Sequence, residues 1–169
     1  MLVKLTVICG FLFAFAELGF GADQTSYPNH ASCKADWTFA LPCTEVHDKL
    51  KAQIKAWKGP DNCGDGIKCN YKLTFSNGGA IRAKHSTPDL LFVDAMAFVL
   101  NESGGLCKLK GSSSRTAKSA TLDNGANYCA MHNLVVGAKL HEAEGYTESS
   151  GDTACTQYSV ANCEVYTPV

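Results

Sequence analysis

Five histidines, His30, His47, His85, His132 and His141, are the side chains of this chain best suited to acid–base chemistry near neutral pH. Cleaving a phosphodiester with them takes two histidines and a lysine converging on one phosphate. His85, His132 and Lys84 are the set that could do so. The pattern puts His85 at a strand end, His132 in a short helix beside Cys129, and His141 in a loop after it. Nothing in the spacing brings these residues together. His47 falls in the first turn of a helix, off its apolar face, and is expected in solvent. A calcium-dependent lipase would set its histidine between close cysteines, and only Cys129 is near His132. A serine nucleophile needs Gly-x-Ser-x-Gly, which neither Ser103-Gly104-Gly105 nor Gly111-Ser112-Ser113 supplies. Asp61-Asn62-Cys63-Gly64-Asp65-Gly66 has two aspartates and the glycine of a calcium loop. Cys63 takes its third ligand position, however, and Lys72 the twelfth, where a glutamate is required. The segment reads as a disulfide-closed turn. No catalytic residue, metal or cofactor is assigned.

The cysteines carry the clearest message. Met1-Leu2-Val3-Lys4 and the apolar run Leu5 to Ala16 have the charge-then-apolar order of a secretion leader. The run is too short to span a bilayer. Cleavage is expected near Gly21 or Ala22, so residues 1–22 are leader and 23–169 a single disulfide-rich extracellular domain. The leader takes Cys9 with it. Cys33, Cys43, Cys63, Cys69, Cys107, Cys129, Cys155 and Cys163 remain, an even set that implies up to four disulfides. Cys63 with Cys69, and Cys155 with Cys163, are near enough to close local loops. The full connectivity is open, since eight cysteines allow on the order of a hundred pairings. No pair has zinc-knuckle spacing.

Charge adds a second clue. The formal net charge is −1, and losing Lys4 and Glu17 with the leader leaves it there. Such a balance gives no global pull toward nucleic acid. Its distribution is uneven: Lys108, Lys110, Arg115 and Lys118 form a basic stretch with no acid among them. A basic hairpin of this kind could meet a sulfated glycan or another anionic partner. Asp94 lies in an apolar run and needs a partner, for which Arg82 or Lys84 on a neighbouring strand are candidates. Asn101-Glu102-Ser103 is an N-glycosylation sequon at a predicted turn.

These residues need elements to position them. Residues 23–42 are expected to form an irregular entry pinned by Cys33. Val46, Leu50, Ile54 and Trp57 then share one helical face, with Thr44 as cap and Gly59-Pro60 as stop. Tyr71, Leu73 and Phe75 alternate with polar residues, Asn77-Gly78-Gly79 turns, and Ile81 and Ala83 return. Leu90 to Leu100 is read as a strand. Ser103-Gly104-Gly105 is a turn, and Leu106 to Lys110 and Arg115 to Leu122 are read as a pair of strands. Asn127 is expected to cap a short helix ended by Gly137.

One N-terminal amphipathic helix packed on an antiparallel sheet of four to five strands predicts a disulfide-stabilised α+β domain. This element order loosely resembles cystatin-like folds. The glutamine-valine-glycine loop of cystatins has no match here, so their protease inhibition is not carried over. The block Asn127-Tyr128-Cys129, His132-Asn133-Leu134, Cys155-Thr156-Gln157-Tyr158 and Asn162-Cys163 resembles uncharacterised small secreted cysteine-rich animal proteins. The likeness covers about a quarter of the chain. It implies the class and no activity. The expected function is therefore a secreted, non-enzymatic binding protein, its partner an extracellular protein or an anionic glycan. A small histidine hydrolase stands second and a protease inhibitor third. The leading reading needs a basic or apolar patch on the sheet face away from the helix.

Overall fold

A computed structural model describes residues 28–64 and 66–169. The expected leader, 1–22, and Asp65 lie outside the described residues. The architecture is a six-stranded antiparallel sheet with two helices, and strands make up most of the regular secondary structure. This corrects the expectation of an N-terminal helix on four to five strands. Strand β1 (Ser32–Phe39) comes first, followed by α1 (Cys43–Ala56), β2 (Tyr71–Asn77), β3 (Ala80–Ser86), β4 (Val93–Ser103), β5 (Leu106–Arg115), α2 (Ala126–Gly137) and the short β6 (Thr147–Ser149). The strand order is β2-β3-β4-β5-β1-β6, so the first strand lies inside the sheet.

The irregular entry expected over residues 23–42 is instead, from Ser32 to Phe39, a strand. Its pattern is in fact a clean alternation: Cys33, Ala35, Trp37 and Phe39 are buried, while Lys34 and Asp36 are exposed. Prolines 28 and 42 flank the strand without entering it. The second correction concerns β5. No break occurs at Gly111-Ser114; one strand runs from Leu106 through Arg115, and 116–122 carry no strand. Small polar residues are weak strand formers, and here the pairing with β4 and β1 on both sides overrides that preference. Gly111 is required at its position. A Cβ there would stand 2.7 Å from the Trp37 ring.

One face of the sheet is covered by both helices. Val46, Leu50 and Ile54 of α1, at 0 % exposure, share one core with Ile81, Phe98 and Leu109 of the sheet, and α2 lies over β1 with its Trp37 and Phe39. α1 begins at Cys43 after Pro42, so Thr44 is not its cap. α2 is buried nearly all round, because the sheet, α1 and the C-terminal segment enclose it. Its start is held by Asp123 rather than Asn127. The Asp123 carboxylate accepts from the Gly125 amide (3.1 Å), and from the amide (3.0 Å) and side chain (2.7 Å) of Asn127.

Four disulfides tie the body: Cys33–Cys155, Cys43–Cys107, Cys63–Cys69 and Cys129–Cys163. The local Cys63–Cys69 loop is as expected. Cys155 and Cys163 do not pair with each other; each fastens the C-terminal segment to the body, one to β1 and one to α2. Among the described residues no helix is long and apolar enough to cross a membrane.

Candidate functional site

Among the described residues no helix lies on the second sheet face, and the strand register places its side chains. Rows across the sheet read Lys72, Lys84, Ala95, Ser114, Ser32; then Phe75, Arg82, Ala97, Ser112, Lys34; then Ala80, Val99, Lys110, Asp36. A bulge between Leu73 and Phe75 turns Phe75 onto this face, where Arg82 stacks on its ring at 5.6 Å. Lys108 lies one row further, opposite Asn101. Lys34, Lys72, Arg82, Lys84, Lys108 and Lys110 are all exposed. Asp36 is the single carboxylate among the described outward strand positions. A near-neutral chain thus concentrates cations on one open surface.

Between these cations the floor is low. Ala95, Ala97, Ser112 and Ser114 are small, and two adjoining hollows lie over them. One, of about 600 Å³, runs between Asn29, Ser32, Thr153 and the β4–β5 strands. The other, of about 280 Å³, lies toward Val99 and Lys110. They share Lys34 and Ser112. The result is a shallow trough with hydroxyls in its floor and cations on its rim.

Two members of the expected basic stretch belong elsewhere. Arg115 points inward, 2 % exposed, and its Nε donates to Asp94 Oδ1 at 3.0 Å. Its guanidinium also lies 4.2 Å from the Phe92 ring centroid. Lys118 is exposed in a turn beyond β5. Asp94 therefore pairs with Arg115, not with Arg82 or Lys84. Those two face outward, while Arg115 is the direct cross-strand neighbour of Asp94 on the inner face. Burial raises the Asp94 carboxyl above the ordinary range, and the Arg115 hydrogen bond opposes that rise. Asn101 sits in the last turn-proximal residues of β4, exposed at the edge of the basic face.

The histidines are scattered. His47 is buried rather than solvated, its Nε2 2.9 Å from Ser76 Oγ and its Nδ1 2.9 Å from Asp48. The reason is that α1 buries a wider arc than its apolar stripe, packing against both β2 and β3. His85 is fully buried beside Tyr71, its ring Nε2 donating to the Ile67 carbonyl at 3.1 Å. His30 reaches the Arg115 carbonyl at 2.7 Å. His132 alone meets a carboxylate across the fold. Its Nδ1 lies 3.1 Å from Glu148, to which Tyr128 and Tyr146 also donate at 2.6 Å. Burial raises the Glu148 carboxyl, but the bonds from His132, Tyr128 and Tyr146 outweigh it and bring it to about 2. This carboxylate is saturated by its neighbours. None of the hollows described is lined by His132. The cluster fastens β6 to α2. Among the described residues no three His, Cys, Asp or Glu side chains gather as a metal site.

His85 gives the protein an acid sensitivity. Burial pushes its pKa from 6.5 down to about 4, with the Ile67 bond opposing and the Arg115 charge assisting. The unfolded chain therefore binds this proton more readily than the folded one. His85 supports the fold fully above pH 6.5, and that support is lost as pH falls from 6.5 to 4, by about 3 kcal/mol in all. Urea midpoints across this range should fall with pH. The fall should be much shallower in His85→Phe.

No protein-family model matches the chain, and no curated protein matches it either.

Proposed function

We propose that this is a secreted, non-enzymatic protein that binds a sulfated glycan on its uncovered sheet face. The observation that carries the reading is the set of six exposed cations against one carboxylate around the Ala–Ser trough. Sulfate groups along a linear sugar chain suit separated point charges such as lysines. Sugar rings suit a floor of small side chains with Ser32, Ser112 and Ser114 as hydrogen-bonding partners. A protein partner would suit a different surface, with an aromatic centre depleted of charge. Here the centre is small and polar, and Phe75 and Val99 lie toward its margins. Four disulfides support the extracellular setting. The Asn101 sequon stands at the rim near Lys108, so an oligosaccharide there would bound one end of the face without covering the trough.

Protease inhibition draws less support. Loop 87–92, which carries the most exposed leucines among the described residues, holds Leu90 at φ +59°, whereas a chain lying in a protease cleft is extended.

Retention on a sulfated-glycan column tests the proposal. The protein should elute only at raised salt, and Lys34→Gln with Lys110→Gln should elute earlier. Lys49→Gln on α1, away from the face, should elute with the parent. Equal retention of both variants would place the glycan elsewhere.

A further inference from the structure

Between β3 and β4 the chain holds two leucines out in water. Leu90 is 67 % exposed and Leu91 74 %, while most other leucines of the described chain lie in the core. The loop that presents them is not loose. The Thr87 amide donates to the Phe92 carbonyl at 3.0 Å, and the Leu90 amide to the Thr87 carbonyl at 2.8 Å. The Thr87 hydroxyl donates to Asp89 at 2.6 Å and accepts from the Phe92 amide at 3.1 Å. Leu91 N–H and the Tyr166 hydroxyl also donate to Asp89, at 3.1 and 2.8 Å. Leu90 adopts a left-handed backbone, which opposes its Cβ and is uncommon outside glycine and asparagine. Such strain is held in place by the surrounding bonds, and strained residues cluster where a protein engages ligands.

The surroundings of the knob are cationic. Lys58 and Lys72 line one surface hollow with Leu90, and Lys84 is the cross-strand neighbour of Lys72. The one acid of the loop, Asp89, has both oxygens engaged by Thr87, Leu91 and Tyr166. An apolar tip with a lysine collar matches the layering of an anionic bilayer, acyl chains below and charged headgroups above.

We propose that loop 87–92 is an interfacial membrane anchor, in which Leu90 and Leu91 enter the headgroup–acyl boundary while Lys58, Lys72 and Lys84 lie against anionic headgroups. A protein pocket is the less fitting occupant. Leucine is under-represented among interface hot spots, and the tip offers no aromatic or arginine side chain to anchor one. Because the loop is already fixed by its hydrogen bonds, insertion orders little further chain. Two leucines give weak, reversible attachment rather than permanent insertion. The proposal shares Lys72 and Lys84 with the glycan face, and the two are told apart by Leu90 and Leu91 on one side and by Lys34 and Lys110 on the other.

Co-sedimentation of the full secreted chain with vesicles tests it. The protein should pellet with phosphatidylcholine–phosphatidylserine vesicles and remain in solution with phosphatidylcholine alone. Leu90→Ser with Leu91→Ser should weaken vesicle binding by on the order of 30-fold and leave glycan-column retention unchanged. Lys34→Gln with Lys110→Gln should do the reverse. In Leu91→Trp, indole fluorescence should shift to the blue on adding the mixed vesicles. Failure of the parent chain to pellet, equal binding by the double-serine variant, or an unshifted tryptophan would each overturn the anchor.

Discussion

Replacing both Cys33 and Cys155 with alanine is expected to lower the unfolding free energy by about 5 kcal/mol in the chain-entropy account. The two residues are separated by 122 positions, the longest loop closed by any of the four bridges. With the other bridges kept, Cys43–Cys107 and Cys129–Cys163 still shorten that loop, so the figure is the upper limit of the freedom regained. Both sulfurs are buried, so their loss also leaves space in the core. A loss of this size equals the entire stability of a marginal domain. The matching change at Cys63 and Cys69, only six positions apart, is expected to cost about 2 kcal/mol. Urea unfolding of the two variants, with the other bridges oxidised, reads the difference directly. Equal losses would mean that the long bridge constrains a denatured state already compact.

Arg115→Met is expected to cost about 4 kcal/mol, because it strands a buried carboxylate. Asp94 and Arg115 are 0 % and 2 % exposed, and one charged hydrogen bond of 3.0 Å joins them. Among the described residues Asp94 Oδ2, Arg115 Nη1 and His85 Nδ1 have no hydrogen-bond partner. The site therefore stands on that single contact and on the Phe92 ring over the guanidinium. Removing one charge leaves the other without compensation. Asp94→Leu with Arg115→Met removes both and should recover most of the loss, since a buried pair is seldom worth more than apolar packing. A double-mutant cycle separates these terms. A double variant as unstable as either single one would mean that the pair is needed beyond its own neutralisation.

How much of this was legible beforehand depends on the range of the signal. The α1 face of Val46, Leu50 and Ile54, the Asn77-Gly78-Gly79 hairpin and the Cys63–Cys69 loop are local, and periodicity or turn chemistry reveals them. The need of Asp94 for a partner was also visible, but its identity was not. That identity follows from the β4–β5 register, which sets residue 94 opposite 115. β1 carried a period-two pattern that the flanking prolines and mixed composition obscured. The continuous β5 was hidden because Gly111 to Ser114 favour loops until neighbouring strands pair with them.

The basic face shows the same limit. A run of lysines and arginine along one stretch was readable, and half of it pointed elsewhere. Lys34, Lys72, Arg82 and Lys84 come from three other strands, and only the register collects them with Lys108 and Lys110. Alternation within each strand was the available signal. It says which residues face outward, not which strands stand side by side.

The most direct measurement is an amide chemical-shift map of the folded chain titrated with a sulfated tetrasaccharide. The account predicts that the shifts fall on Lys34, Ala97, Val99, Lys110 and Ser112, and that added salt reverses them. Shifts confined to α1, α2 or the C-terminal loops, or no saturable shifts at all, would contradict it.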